Sequence, residues 1–367
     1  MAAEKIIDTL NRLNATCRPL LIGSFPEMDV EDAVSLVLKY VPDIPNWVQM
    51  PGLAAEGMLT QFAPGFPGLT ASQTQLFIDS TAAEFDDQVL SFYEDYMAAV
   101  ESPDANRVSR FELTSREAGG FFALLKRLKA TGVAPMAVKG QITGPFTFCT
   151  AMKDGNGRAI FYDDLMRDVA VKLIAMKAAW QVRQLGSVGV PVILFIDEPS
   201  LAGFGSSEYI SISREDVQSI LFEVVAAIHN AGGIAGIHVC ANTDWSVVTA
   251  SGAAIINFDA YAFFDRFVLY KKSIVELFNS GRWLAWGVVP TLHASDIEKA
   301  TVASLVERFY AGVEALSALG IDKRKILAQS ILTPSCGIGT LSLDFSRKVL
   351  KLLKSVSEII RKEVHAC

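Results

Sequence analysis

The sequence predicts an α/β protein: a single (β/α)8 TIM barrel spanning residues 1–367, with an insertion between its second and third strands. Three observations predict it. Short apolar runs of strand length recur along the chain, helical segments alternate with them, and polar or reactive residues gather just after the runs. Strands buried on both faces of a parallel sheet read as continuous apolar stretches rather than as alternating ones. Eight strand–helix units close into a barrel whose working groups stand at the carboxyl ends of the strands. An open doubly wound sheet is the competing architecture, but no Gly-x-Gly-x-x-Gly opens the first helix. Neither a repeat of solenoid period nor a low-complexity linker divides the chain.

In chain order, residues 1–17 hold an amphipathic helix with Ile6, Ile7, Leu10 and Leu13 at helical spacing. The run from Pro19 to Pro26 predicts a first strand, stopped by Gly23 and Pro26. A helix over 30–40 leads to a second strand at Trp47-Val48-Gln49-Met50. Residues 51–72 are rich in Gly and Pro, and helical periods follow at 73–101 and 115–131. A loop that long is usually functional, so residues 51–135 are expected to form an insertion over the barrel mouth. The third strand is expected at Met136–Gly140, and a helix over 161–188 precedes the fourth at 192–196. Helices at 213–231, 243–250, 270–280 and 296–319 then separate strands at 233–239, 254–258, 283–288 and 326–330. A last helix covers 344–364.

Composition narrows the function classes. With 51% hydrophobic and 20% charged residues, the chain can bury a large core and is too apolar for disorder. A net charge of −7 offers no basic footprint, which argues against nucleic acid and against an anionic membrane surface. No apolar run approaches the ~18 residues of a membrane span, and Met1-Ala2-Ala3-Glu4-Lys5 lacks the layout of a signal peptide. The expectation is a soluble, cytoplasmic protein. Its five cysteines, Cys17, Cys149, Cys240, Cys336 and Cys367, are odd in number and scattered, which suits reduced thiols better than a disulfide framework. Cys17, Cys149 and Cys367 read as core or surface residues without a chemical role.

Reactive residues follow the predicted strands: Ser24, Gln141, Asp197, Glu198, His238, Cys240, Asp259, His293 and Cys336. His238 and Cys240 lie two apart on one strand, so alternation points both to one face. Alone, such a pair is more often a packed histidine beside a buried thiol. Cys336 stands in the loop Thr333-Pro334-Ser335-Cys336-Gly337-Ile338-Gly339, and a barrel can bring it to the same point. One imidazole and two thiolates make a zinc set, with Asp259 as a candidate fourth ligand. The adjacent acids Asp197 and Glu198 end an apolar strand, where an unpaired charge is costly. One of them caps a neighbouring segment, or a carboxylate there holds the ammonium group of an amino-acid substrate. His293 stands before Ser295-Asp296, a pair that resembles a helix N-cap. It is either a general acid or a loop histidine bonded to backbone. His229 and His365 read as non-functional.

Together these segments resemble the catalytic, carboxyl-terminal barrel of the cobalamin-independent methionine synthase family, within the superfamily that includes uroporphyrinogen decarboxylase. The resemblance runs from about residue 20 to about 345. It rests on Ile22-Gly23-Ser24-Phe25-Pro26, Thr143-Gly144-Pro145, Ile196-Asp197-Glu198-Pro199, His238-x-Cys240 and Pro334-Ser335-Cys336-Gly337. It implies a (β/α)8 barrel and a zinc-dependent methyltransferase acting on a thiol, homocysteine above all, to give methionine. It further implies that His238, Cys240 and Cys336 bind Zn2+, with Asp259 where the family has a glutamate ligand. Ile22, Gly23 and Ser24 match the segment that binds the homocysteine carboxylate, Asp197 the residue that meets its amino group, and His293 the proton donor. Two departures stand out: Gly203 falls where the family carries an acid for the methyl-folate, and Thr60 or Gln61 where it has a glutamate for the amine. These departures leave the donor open between methyl-folate and a methylcorrinoid, the latter carried by a partner protein. Transfer to another thiol such as coenzyme M, and a uroporphyrinogen decarboxylase-like reaction, are the alternatives. The latter needs no metal, so the three-ligand set counts against it.

Overall fold

The computed structural model describes residues 2–71, 76–101, 109–132 and 134–366. In chain order the strands are β1 (Leu69–Ala71), β2 (Leu76–Ile78), β3 (Val138–Thr143), β4 (Lys153–Asp154) and β5 (Val192–Asp197), then β6 (Ile234–Val239), β7 (Ile255–Phe258), β8 (Trp283–Val289) and β9 (Ser330–Pro334). Six of them form one parallel sheet in the order β3-β5-β6-β7-β8-β9. Every residue of β3, β6, β7, β8 and β9 is buried. That is the continuous apolar pattern of a sheet covered on both faces.

The two segments expected as the first strands carry only single parallel bridges. Pro19 pairs with Leu332, Ser24 with Gln49, and Asn46 with Lys139, so residues 19–24 and 46–49 run between β9 and β3. Gly23, at φ +153°, and the prolines at 26, 45 and 51 interrupt a regular ladder there.

The helices that alternate with these strands start at local caps. Asp163 accepts from the Met166 N–H to open Asp164–Gly186. Ser213 and Asp216 form a reciprocal capping box for Arg214–Asn230, and Thr301 and Ser304 do so for Val302–Ser317. Because Thr301 starts a new helix, the segment expected as one helix over 296–319 divides into Ala294–Lys299 and Val302–Ser317. Among the described residues, no helix is long and apolar enough to cross a membrane.

Other expectations are corrected. The strand placed at 326–330 lies at Ser330–Pro334, and Lys323–Ala328 is a helix capped by Asp322, which accepts from the Lys325 N–H. Short apolar runs do not separate helix from strand by periodicity. The helix placed at 73–101 begins at Phe85. Before it, β1 and β2 pair antiparallel, and β2 pairs with β4. The helix Ala260–Phe267 was not foreseen.

Two apolar clusters result. The larger fills the layer between sheet and helices. The smaller lies inside the curled sheet, where Ile193, Phe195, Ile234, Ile255, Trp283 and Ile331 meet Ile6, Leu10 and Leu13. The amino-terminal helix therefore closes the end of the sheet opposite the reactive residues. Of the segment 51–135, helix Gly119–Thr131 packs on Val30–Tyr40, and Phe85–Glu101 packs on Asp164–Gly186. Its first part reaches the carboxyl end of β3, where the Thr143 hydroxyl donates to the Met58 carbonyl at 2.7 Å.

Candidate metal centre

His238 is the fifth residue of β6, and Cys240 follows the strand's end. The imidazole is buried, and its Nδ1 meets the Oδ1 of Asn257, its register partner on β7. Asn257 is itself fixed: its Nδ2 donates to the Ala285 carbonyl at 2.9 Å and to the Thr333 hydroxyl at 2.8 Å. An amide whose nitrogen already donates twice presents its oxygen to the ring, so Nδ1 carries the proton and Nε2 keeps its lone pair. That Nε2 is buried with no hydrogen-bond partner. A buried acceptor of this kind, held in one tautomer by an outer partner, is how metal-binding histidines are oriented.

Cys336 comes from the loop after β9. The Ser335 N–H donates to the Val289 carbonyl at 2.8 Å, and the Ile338 N–H to the Ser24 carbonyl at 3.0 Å. A Cβ on Gly337 would overlap the Ser24 hydroxyl, and one on Gly339 would sit 2.9 Å from the Ser24 Cβ. The two glycines thus let the loop close down on residue 24. The ligand atoms of His238, Cys240 and Cys336 all lie within 4.8 Å of one another. It is the one such group of three among the described residues.

Both thiols are half-buried. The Cys336 S–H donates to Cys240, pulling the Cys240 thiol down to about 4 against the cost of burial, with His238 helping. Cys336 is correspondingly pushed far up by holding the shared proton and by burial. Burial pushes His238 down, but the neighbouring Cys240 and Asp197, as negative charges, outweigh it, and the net shift is upward. The cluster is a charge-dense, partly desolvated set of soft donors, which fits zinc.

Asp197 ends β5 beside His238 in register. Burial raises its carboxyl to about 6 against the pull of His238 and Lys139, and its Oδ1 has no hydrogen-bond partner. Glu198 takes the structural half of the acid pair. It accepts from the Phe146 N–H at 2.9 Å, the Thr147 N–H at 2.7 Å and the Thr147 hydroxyl at 2.6 Å. It thereby caps Pro145–Ala151, and burial raises it to about 7.

Ile22 and Gly23 are buried and Ser24 is half-buried. The Gly23 carbonyl accepts from Gln49, and the Ser24 carbonyl from Ile338, but among the described residues the N–H groups of Gly23 and Ser24 donate to no protein group.

The other sequence candidates lie outside the three-ligand group. Asp259 is the N-cap of Ala260–Phe267 and accepts from the Ala262 N–H at 2.8 Å. Burial raises it to about 6, and its carboxylate is not part of the three-ligand cluster. His293, rather than Ser295-Asp296, holds the N-cap position of Ala294–Lys299. It is exposed, and its side chain caps nothing. His229 lies half-buried in its helix, and burial lowers its imidazole. Cys17 and Cys149 are buried. Cys367 and the side chain of His365 lie outside the described residues.

Two residues escaped the sequence reading. Asn257 interrupts the apolar run of β7, a signal that was present. Lys139 is fully buried inside the sheet, where composition places no lysine.

No family model matches the chain, and no curated protein matches it. Among solved structures, a methyltransferase from Methanosarcina mazei superposes with a TM-score of 0.52 at 12% identity, over 98% of this chain and 99% of that one. A B12-independent methionine synthase from Shewanella sp. W3-18-1, in complex with selenomethionine, superposes with a TM-score of 0.46 at 18% identity, over 66% of this chain and 68% of that one. At such identities the likeness bears on the fold alone, and the first of the two, spanning almost the whole of both chains, carries it.

Proposed function

We propose that the protein is a zinc-dependent methyltransferase that moves a methyl group onto a thiol, with homocysteine as acceptor and methionine as product. The observation that carries the reading is the His238–Cys240–Cys336 cluster with its unpartnered Nε2. Two soft thiol donors and one nitrogen suit zinc, and three protein ligands leave a fourth position for a substrate. When bound, zinc supplies a thiolate at neutral pH, where a free thiol of pKa ~8.5 is mostly protonated.

The residues around the cluster fit an amino-acid acceptor. The buried Oδ1 of Asp197, without a hydrogen-bond partner and beside His238 in register, offers a counter-charge for an ammonium group. The unpaired N–H groups of Gly23 and Ser24 suit a carboxylate. Residue 24 is joined to the Cys336 loop by the Ile338 and Gly339 hydrogen bonds, so the two subsites share one wall. Asp259 caps a helix through its Oδ1 and lies outside the three-ligand group, which favours the thiol in the fourth position.

Gly203, in place of the acid that holds the methyl-folate, favours a methylcorrinoid over methyl-folate as donor, delivered by a carrier protein. A cob(I)alamin leaving group needs no proton, which agrees with an exposed His293; a folate nitrogen would need one from it. The finer fold belongs to the same reading: a closed (β/α)8 barrel in which residues 19–24 and 46–49 are the first two staves. Free thiols at such a site suit a reducing compartment, which favours a cytoplasmic setting.

The test incubates zinc-loaded protein with homocysteine and either methylcobalamin or methyl-folate and looks for methionine. Product from methylcobalamin is expected. Product from methyl-folate alone would reverse the donor assignment, and none from either would rule out homocysteine.

A further inference from the structure

The proposed reaction makes no use of Lys139, a charge with no exposure to solvent. Its side chain enters the interior from β3. The ammonium donates to the Ile22 carbonyl and, at 3.1 Å, to the Gln141 Oε1, and it lies 4.8 Å from the centre of the Phe195 ring. Burial lowers it to about 7, and Asp197 works in the other direction. An isolated buried ammonium is costly unless its hydrogen bonds are made, so the site must return something for holding it.

What it holds is one peptide unit. The carbonyl of Ile22 and the N–H of Gly23 belong to the same planar group, and in a trans peptide they point in opposite directions. The protein has no cis peptide among the described residues. Drawing the Ile22 oxygen onto the buried ammonium therefore turns the Gly23 N–H away from the interior. That N–H is one of the two with no protein partner.

Gln141 completes the floor. Its Nε2 donates to the Trp47 carbonyl at 3.0 Å, and a Cβ on Gly23 would sit 2.6 Å from its Cδ. Hydrogen bonds in series polarise one another, so the ammonium also strengthens the N–H at the far side of the peptide. We propose that Lys139 is the positioning residue of an anion subsite: it clamps the Ile22–Gly23 peptide from below, so that the Gly23 and Ser24 N–H groups select an acceptor that carries a carboxylate. This rests on the amino-acid acceptor reading.

The rival role for Lys139 is a plain counter-charge to Asp197, and two ligands separate the roles. Homocysteine has thiol, ammonium and carboxylate; 3-mercaptopropylamine lacks only the carboxylate. Dissociation constants for both are measured by calorimetry on zinc-loaded wild type and Lys139→Met, with zinc content and melting temperature checked alongside. The wild type is expected to prefer homocysteine. In Lys139→Met that preference, the ratio of the two constants, is expected to fall about tenfold or more, as for one charge-assisted hydrogen bond. An unchanged ratio, whether both ligands weaken together or neither does, overturns the proposal. A wild type that binds both ligands equally well also overturns it, since no carboxylate subsite then exists. A wild type that binds neither refutes the amino-acid acceptor and this proposal with it, and is distinguished by the wild-type arm alone. If Lys139→Met does not fold, Gln141→Met, which removes the ammonium's side-chain acceptor, carries the same comparison with the same outcomes.

Discussion

The two walls of the candidate site are built in opposite ways. On one side, β5 to β9 form a continuous parallel ladder with one register shift between Gly287 and Val289, and the candidate metal-binding side chains stand at or just past its strand ends. On the other, residues 19–24 and 46–49 touch the sheet through single bridges. Side chains from β3, Lys139 and Gln141, reach across to hold their backbone. The regular ladder satisfies its own peptide groups and offers only side chains. The irregular wall leaves backbone N–H groups free for a ligand. A site that must grip a metal and also recognise a small polar molecule gains from having one wall of each kind.

If metal grip and acceptor recognition are separate functions of the site, each can be damaged alone. The largest effect is expected from Asp197→Asn. Loss of a buried counter-charge costs about 2–5 kcal/mol, so homocysteine binding should weaken by roughly 30-fold or more, while zinc stoichiometry, read by atomic absorption, stays at wild type. Asn257→Leu should do the reverse. It frees the Nδ1 of His238 and should lower zinc affinity by roughly 10- to 100-fold, measured by competition with a chromogenic chelator. Comparable losses of both functions in either variant would mean that metal binding and acceptor binding are not separable.

Glu198→Gln tests the acid pair. The amide would turn a donor toward groups that already donate. It should reduce stability by about 1–3 kcal/mol in chemical denaturation, without changing ligand preference. A variant that kept its stability and lost activity would move Glu198 into the chemistry.

The smallest effect concerns the thiols without metal. Cys240, held down to about 4 by the Cys336 hydrogen bond, is already a thiolate above that pH. Its alkylation by iodoacetamide should therefore change little between about pH 5 and pH 9. Burial pushes Cys17 up to about 12 and raises Cys149 as well, so both should react only after unfolding. Peptide mass mapping reads all three, and added zinc should protect Cys240. A Cys240 rate that climbs tenfold per pH unit would refute the shared proton.

What the sequence revealed follows the same division. His238 and Cys240 were legible because strand alternation alone puts them on one face, and Cys336 because a glycine-flanked loop after a strand has few other reasons to carry a thiol. Apolar runs located β5 to β8 to within a residue or two. The same logic failed at Ile326-Leu327-Ala328, where an equally apolar run is a helix because Asp322 caps it. Asp259 was a ligand candidate by its place after a strand, and that place is also where the N-cap of the next helix falls. Glu198 could not be separated from Asp197 until the helix it caps, some fifty residues earlier in the chain, came into contact. Lys139 was illegible because the Ile22 carbonyl that receives its ammonium is brought to it only by the tertiary fold.

The claim beneath all of this is that His238, Cys240 and Cys336 hold one metal ion. Zinc-edge X-ray absorption on the wild type and on Cys336→Ser tests it most directly. The account predicts one zinc per chain with two sulfur neighbours at about 2.3 Å, and in the variant one sulfur fewer and most of the metal gone. Near-full zinc occupancy in Cys336→Ser, or a wild type whose zinc shows no sulfur neighbours, would contradict it.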